Sequence, residues 1–384
     1  MKKVRMGFLG IGPRGQGLVE CYMNHPQVEF VAFADIAENR AADFAAYYNK
    51  KYNANAKAYT SYEAMMKEAK MDALMIGMDP DKQVDYAVDA MYKGIHVMTE
   101  VPCAFTIKQC WDLVNAVKKT GCKYQLAEQT RYWNFIKEWR KMAAAGEFGK
   151  IIYAEGEYLH YEKYWDLLRD KKTNYEICPK NLDELNDPNC EKSWRYYTCL
   201  YNPILYMPHE LSPLLSVTGG RIERVSCFAN KPGRYTDTQF EAVPLQTALM
   251  YNSNDTIFSL RAGFSVPYGP KLETGAHWYQ IKGTKATVET CRSTLDTMKL
   301  YHADGEWETK DWGCVDQTEP DEIKNASHGG ADFYPIMYFI DAIVNDKTPP
   351  MDVYKAVETA APAILANESS KYGGMMMEVP DFRV

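Results

Sequence analysis

Over the first 125 or so residues, short apolar runs alternate with stretches whose apolar side chains recur at three and four. Runs at 4–9, 28–34, 73–78, 96–100 and 123–127 read as buried strands, with a shorter one near Ala58. Between them, 16–24, 37–52, a helix opening at 61–66, 83–93 and 106–120 read as helices. Thr106 with Gln109 makes a capping box, and Gly94 and Gly121 act as stops. Strand and helix in strict alternation imply parallel strands joined by crossover helices. The expected class is therefore α/β with a doubly wound parallel sheet. In such a sheet ligands gather at the carboxyl ends of the strands. Gly10, Asp35, Met78, Glu100 and Gln129 fall at or just past those ends.

After Tyr132 the pattern changes. A helix at 135–145 is followed by a long alternating strand at 150–161, then a polar stretch over 162–200. The latter reads as an insertion near the active site, bounded at 161–201. A helix at 206–217 precedes strands at 222–229, 245–251, 256–264, 276–282, 285–290 and 298–302. Turn residues at 252–255 and 282–284 join consecutive strands, which implies a mostly antiparallel sheet. Helices at 334–345 and 354–367 close the chain. A first domain over 1–130 and a second over 131–384 follow from this change of pattern.

Composition narrows the partners. The 384 residues carry a formal net charge of -7 with pI near 5.6, which argues against nucleic acid or an anionic membrane surface. No apolar run approaches the roughly 20 residues of a membrane span. The segment 1–4 leads straight into a strand, so no signal peptide is expected and the default location is cytoplasmic. The 10 cysteines are scattered without a C-x-x-C pair, so they read as reduced thiols and no metal site is expected.

The chemistry starts at Gly10-Ile11-Gly12-Pro13-Arg14-Gly15, directly after the first strand. Gly-x-Gly-x-x-Gly in that position is a dinucleotide turn: glycines for the bend, for backbone approach to a pyrophosphate and for close helix packing. Asp35, about 20 residues past the turn, suits a ribose 2′-hydroxyl and repels a 2′-phosphate, which favours NAD. Arg40 could weaken that preference, but the simpler reading is an exposed helix arginine. The domain over 1–130 is thus the expected NAD-binding Rossmann domain, and 131–384 the substrate-binding and oligomerisation domain.

With residues 94–102 (Gly-Ile-His-Val-Met-Thr-Glu-Val-Pro), Pro208-His209-Glu210-Leu211 and residues 366–374, the glycine turn makes the chain resemble the Gfo/Idh/MocA family of nicotinamide-dependent sugar oxidoreductases. The resemblance implies an open, mostly antiparallel sheet in the second domain, with sugar held between the domains. It also implies a homodimer or homotetramer through that sheet, and a place for Glu100 beside the nicotinamide ribose. Two departures stand out. Val101 replaces the family's Lys in Glu-Lys-Pro, and Leu205 replaces an Asp four residues before the helix histidine. Glu100-Val101-Pro102, Met207-Pro208-His209 and residues 328–333 instead resemble a neighbouring branch containing glycoside hydrolases that use bound NAD.

His209 is the first candidate base, because an imidazole titrates near neutrality and the family position agrees. His160 and Tyr158 share one face of the 150–161 strand, with Glu157 on the other, and are candidate acid–base partners. Candidate substrate ligands are Arg131, Trp194, Arg195 and His328, the last followed by two glycines. His25, His96, His277 and His302 read as structural. Three readings stay open: NAD-dependent oxidation of a ring hydroxyl, C3 foremost, of a sugar or glycoside; NAD-dependent glycoside hydrolysis by transient C3 oxidation and elimination; and a non-catalytic cofactor-binding sensor.

Overall fold

In a computed structural model the chain is described except for residues 1–2, 24, 162–165, 235–239, 268–270 and 272–273. The expected helix end at Asn24, the start of the N-terminal segment and the start of the insertion therefore lie outside the described residues. The first sheet is built from β1 (Val4–Leu9), β2 (Val28–Ala34), β3 (Lys57–Tyr59), β4 (Ala73–Ile76), β5 (His96–Thr99) and β6 (Tyr124–Leu126). Its order is β3-β2-β1-β4-β5-β6 with all pairings parallel, and the order reverses between β1 and β4. That reversal opens a crevice at the carboxyl ends. The crossover helices are α1 (Pro13–Tyr22), α2 (Arg40–Tyr52), α3 (Tyr62–Glu68), α4 (Pro80–Tyr92) and α5 (Ile107–Thr120). The capping box forms as the spacing implies, with Thr106 Oγ1 accepting from Gln109 N and Gln109 Oε1 accepting from Thr106 N. Helices α1 and α4 begin earlier than the apolar period suggests, because each opens on a proline whose missing N–H costs nothing there.

Among the described residues the second sheet has nine strands. Helix α6 (Asn134–Ala144) leads into β7 (Ile151–Leu159). The insertion folds as a small sheet of β8 (Leu168–Asp170), β9 (Glu176–Ile177) and β10 (Cys190–Lys192), with α7 (Leu182–Leu185) and α8 (Trp194–Tyr201). Then come α9 (Pro208–Thr218), β11 (Ile222–Ala229), β12 (Gln246–Asn252), β13 (Ile257–Gly263), β14 (His277–Gly283), β15 (Ala286–Glu289), β16 (Met298–His302) and β17 (Trp307–Lys310). After α10 (Asp321–Lys324), α11 (Phe333–Val344) and α12 (Val353–Lys371), β18 (Met377–Glu378) completes the sheet. Its order is β17-β16-β15-β14-β7-β13-β12-β11-β18. All pairings are antiparallel save β7 with β13.

β7 thus lies between β13 and β14, in the middle of the sheet, with α9 across one face. At Gly156 an added Cβ would stand 3.0 Å from Glu210 Cβ, so glycine is what lets α9 sit this close. Helix α11 returns to the first sheet, where Phe333, Ile336, Phe339 and Ile340 join the core packed under α1 and β1. Among the described residues, no helix is long and apolar enough to cross a membrane.

Candidate functional site

The glycine turn closes β1 against β4. Gly10 has φ +86, and a Cβ on it would stand 2.6 Å from the carbonyl oxygen of Gly77. A Cβ on Gly15 would stand 2.7 Å from the Gly10 carbonyl oxygen. Gly12 differs: its φ is -63, and its Cβ would meet Arg40 Nη1 at 3.6 Å and nothing nearer. Gly12 therefore fronts a cradle. It is also the N-cap of α1, and no described side chain caps that helix, so its first N–H groups face the cradle. Pro13 takes the first helical position, and the Ile11 side chain is buried in the core, leaving only its backbone to the turn.

Around this cradle stand the other carboxyl-end residues. Asp35 is buried, and its Oδ1 accepts from Ala37 N at 2.7 Å. Burial is the main reason its carboxyl titrates above the usual range. Met78 follows β4, against Gly10. Glu100 follows β5, and Gln129 follows β6 with a buried Oε1 that accepts no hydrogen bond among the described residues. A bend lined by glycine, a free helix N-terminus, an acid at the end of β2 and an unsatisfied amide oxygen fit a dinucleotide. The Arg14 guanidinium is committed elsewhere. Its Nε donates to Glu100 (3.0 Å), and Nη1 and Nη2 donate to Asp332 (2.7 and 2.8 Å). What Arg14 offers a pyrophosphate is its backbone N–H.

Next to the crevice lies a cluster of acid–base side chains from β7, α9, β14 and the residues just past β6 and β7. His209 is in the first turn of α9, and its Nδ1 is 3.2 Å from Glu128 Oε1 and 3.1 Å from Oε2. Thr130 N donates to the same Oε1 at 3.1 Å. Burial would lower the His209 pKa, but the charge and hydrogen bond of Glu128 outweigh it and raise it above the ordinary value. With Nδ1 held by Glu128, the proton-accepting position is Nε2. The Tyr158 ring is the centre of the cluster, with centroids 4.5 Å from His160, 4.7 Å from His277, 5.5 Å from His209 and 5.9 Å from Tyr206. Burial keeps Tyr158 as a phenol and pushes His160 down to about 4, so His160 is a neutral imidazole at neutral pH.

His277, read above as structural, belongs to this cluster. Its Nδ1 is 2.6 Å from Glu210 Oε1, and Trp133 packs edge-on against it at 5.1 Å. Burial drives the His277 pKa down and that of Glu210 up, the latter helped by nearby Glu128. The pair is held as protonated carboxyl and neutral imidazole. Glu128 stands at a strand's carboxyl end and Glu210 within the Pro208–Leu211 motif, but the sequence assigns no role to either or to Tyr206, since each acquires its partners through the fold. Val101 and Leu205, at the family's usual Lys and Asp positions, are both buried among apolar side chains.

The expected substrate ligands fall in different places. Trp194 stacks on Tyr206 at 5.8 Å, and Arg195 lies over Trp194 while pairing with Asp166 at 3.1 Å. His328, at φ +53, joins crevice to cluster: its Nδ1 is 2.9 Å from Asp332 Oδ2, and its carbonyl accepts from Trp133 Nε1 at 2.9 Å. Arg131 is not brought to the cluster. It is buried at the domain junction, with Nη1 donating to Ser212 Oγ at 3.3 Å and lying against Met351. Among the described residues, no group of three or more His, Cys, Asp or Glu could hold a metal ion.

Comparison with known proteins finds matches at both ends of the chain. Residues 4–128 match the family model for the oxidoreductase family with an NAD-binding Rossmann fold, and residues 293–384 match that for the glycosyl hydrolase 109 C-terminal domain. The chain is 26% identical over 420 aligned positions to an alpha-N-acetylgalactosaminidase of Tannerella forsythia, covering 99% of this chain and 86% of that protein. It is likewise 26% identical to a glycosyl hydrolase family 109 protein of Parabacteroides distasonis, over 99% of this chain and 87% of the relative. An oxidoreductase from Agrobacterium radiobacter, solved with NAD+, L-tartaric acid and magnesium, superimposes with a TM-score of 0.74 at 11% identity over 98% of each chain. At that identity the likeness establishes the fold alone.

Proposed function

Because the chain belongs to the Gfo/Idh/MocA oxidoreductase family, with an NAD-binding Rossmann domain and a glycosyl hydrolase 109 C-terminal part, we propose that it is an NAD-dependent glycoside hydrolase. In this reading it cleaves by transient oxidation at C3, and the first substrate to test is an α-N-acetylgalactosaminide, by analogy with the relative so named. The observation that carries the reading is the number of acid–base groups. One charge-assisted imidazole (His209 with Glu128) stands beside two neutral imidazoles (His160, His277) and a phenol (Tyr158). Oxidation of an alcohol alone needs a single base. Glycoside cleavage through a ketone needs one for the hydroxyl, one for the neighbouring C–H and a donor for the leaving oxygen.

Held in the glycine cradle, NAD would supply a hydride acceptor and, in its reduced form, a hydride donor. His209 Nε2 takes the proton of the 3-hydroxyl, and Glu128 stabilises the imidazolium that results. A carbonyl at C3 acidifies the C2 proton, for which the neutral imidazole of His160 is the base, with the His277–Glu210 pair beside it. Tyr158, held protonated, is the donor to the departing C1 oxygen. Water then adds at C1, C2 regains a proton and the carbonyl is reduced, so substrate and cofactor end with no net oxidation. Gly10, Gly12, Gly15, Asp35, Glu100 and Gln129 hold the dinucleotide, and Trp194, Arg195 and His328 border the sugar. In the same reading two copies pair through the outer face of the nine-stranded sheet, where Phe228, Leu249 and Ile257 are 66%, 57% and 50% exposed.

The test is to incubate the protein loaded with NAD with 4-nitrophenyl glycosides, following phenol release and NADH absorbance together. The expected outcome is phenol release without NADH accumulation. Stoichiometric NADH without phenol release would make the protein a sugar dehydrogenase, and neither signal with any sugar or glycoside would favour the sensor reading.

A further inference from the structure

An arginine shortly after the β2 acid is the residue type that accommodates a 2′-phosphate in dinucleotide sites. Arg40 is so placed, and it is not the exposed helix arginine that its position suggests. Its side chain is 9% exposed, and its guanidinium borders the glycine turn, 3.6 Å from where a Gly12 Cβ would stand. Both ends of its fork are occupied by Glu176 of β9, with Nη1 to Oε1 at 3.2 Å and Nη2 to Oε2 at 2.5 Å. Nη1 is also 3.6 Å from Asp35 Oδ2, and the Tyr175 ring packs on the guanidinium at 4.6 Å. Burial would raise the Glu176 carboxyl, but the hydrogen bond from Arg40 outweighs it and holds it ionised.

Glu176 comes from the insertion, 136 positions after Arg40. The same insertion is fastened to the Rossmann domain on either side. Glu38 N donates to Thr173 O at 2.9 Å, Tyr175 Oη donates to Glu38 O at 2.8 Å, and Arg169 donates to Asp79 at 2.9 Å. The segment expected over the active site thus also covers the Asp35 end of the cofactor crevice.

We propose that Glu176 is a cofactor-specificity residue: it occupies the Arg40 fork and adds a second negative charge beside Asp35, so the crevice takes the 2′-hydroxyl of NAD and refuses the 2′-phosphate of NADP. The chain carries an arginine suited to NADP and disarms it with a carboxylate from its other domain. Two carboxylates against one guanidinium leave the pocket net negative, which repels a phosphate dianion. The inference rests on placing the adenine ribose at Asp35.

Calorimetric titration of the nucleotide-free full chain with NAD and with NADP tests it. Glu176→Gln is expected to tighten NADP binding by about tenfold or more, with NAD affinity changed by less than about threefold. Adding Arg40→Ala to Glu176→Gln should erase the gain. An unchanged NAD/NADP ratio, a parallel weakening of both nucleotides, or a gain that survives removal of Arg40 would each overturn the proposal. Glu176→Asp, which keeps the charge, should keep the NAD preference, and serves if the glutamine variant does not fold. Asp35→Ala tests the site itself: undiminished NAD binding in that variant would sink the placement of the ribose, independently of Glu176.

Discussion

Replacing His209 with alanine lowers kcat by about 1,000-fold and leaves NAD affinity within about twofold of the parent. The expected loss is large because His209 is the imidazole in the cluster with a carboxylate fixed on its Nδ1, and therefore the one whose Nε2 is prepared to accept a proton. NAD affinity is expected to hold because the residues proposed to bind the cofactor, the glycine turn, Asp35 and Gln129, are left intact. Calorimetry and steady-state kinetics on the same preparation separate the two effects. Glu128→Gln completes the argument. The carboxylate favours the imidazolium, so removing it lowers the His209 pKa. The acid limb of the pH–kcat profile, which marks loss of the neutral base, then moves to lower pH while the plateau falls. Turnover surviving in His209→Ala, or an acid limb that moves up in Glu128→Gln, would remove this dyad from the mechanism.

The second large effect separates two glycines that stand two positions apart in the same motif, Gly10 and Gly12. Gly10→Ala is expected to lower both stability and NAD affinity. The new methyl meets Gly77 O at 2.6 Å on a backbone at φ +86, combining steric overlap with left-handed strain. Together these amount to about 3 kcal/mol. Gly12→Ala is expected to leave the melting temperature of the nucleotide-free chain unchanged, because its Cβ meets Arg40 only at 3.6 Å on an ordinary φ of -63. Its NAD affinity should nevertheless fall by about 100-fold, since the methyl projects into the cradle. Thermal melts with and without NAD read both. Equal behaviour of the two variants would mean that the cradle in front of Gly12 is not where the pyrophosphate lies.

How much of this was legible beforehand follows from how local each signal is. The parallel sheet, the glycine turn and the Thr106–Gln109 capping box depend on residues a few positions apart, and they form where the pattern puts them. Tyr158 and His160 share a face because two-residue spacing enforces it once β7 is a strand. The position of β7 between β13 and β14 was not readable, because a parallel pairing across some hundred residues leaves no mark in local periodicity. The short edge strands Trp307–Lys310 and Met377–Glu378 escaped for want of enough residues to show a period. His277 looked structural and Arg40 looked exposed for a common reason. Their decisive partners, Glu210 and Glu176, are 67 and 136 positions away and meet them only through the tertiary fold. Arg131 differs in the opposite sense: a charged residue beside a strand end suggests a ligand, but the contacts its Nη1 makes in the fold are to Ser212 of α9 and to Met351 before α12.

The measurement closest to the central claim is hydrolysis of an α-N-acetylgalactosaminide in deuterium oxide, with the released sugar examined by NMR. If cleavage passes through a C3 ketone, the C2 hydrogen is surrendered to an imidazole and replaced from solvent, and the product carries deuterium at C2. A released sugar that keeps its original hydrogen at C2 would contradict the oxidation–elimination route.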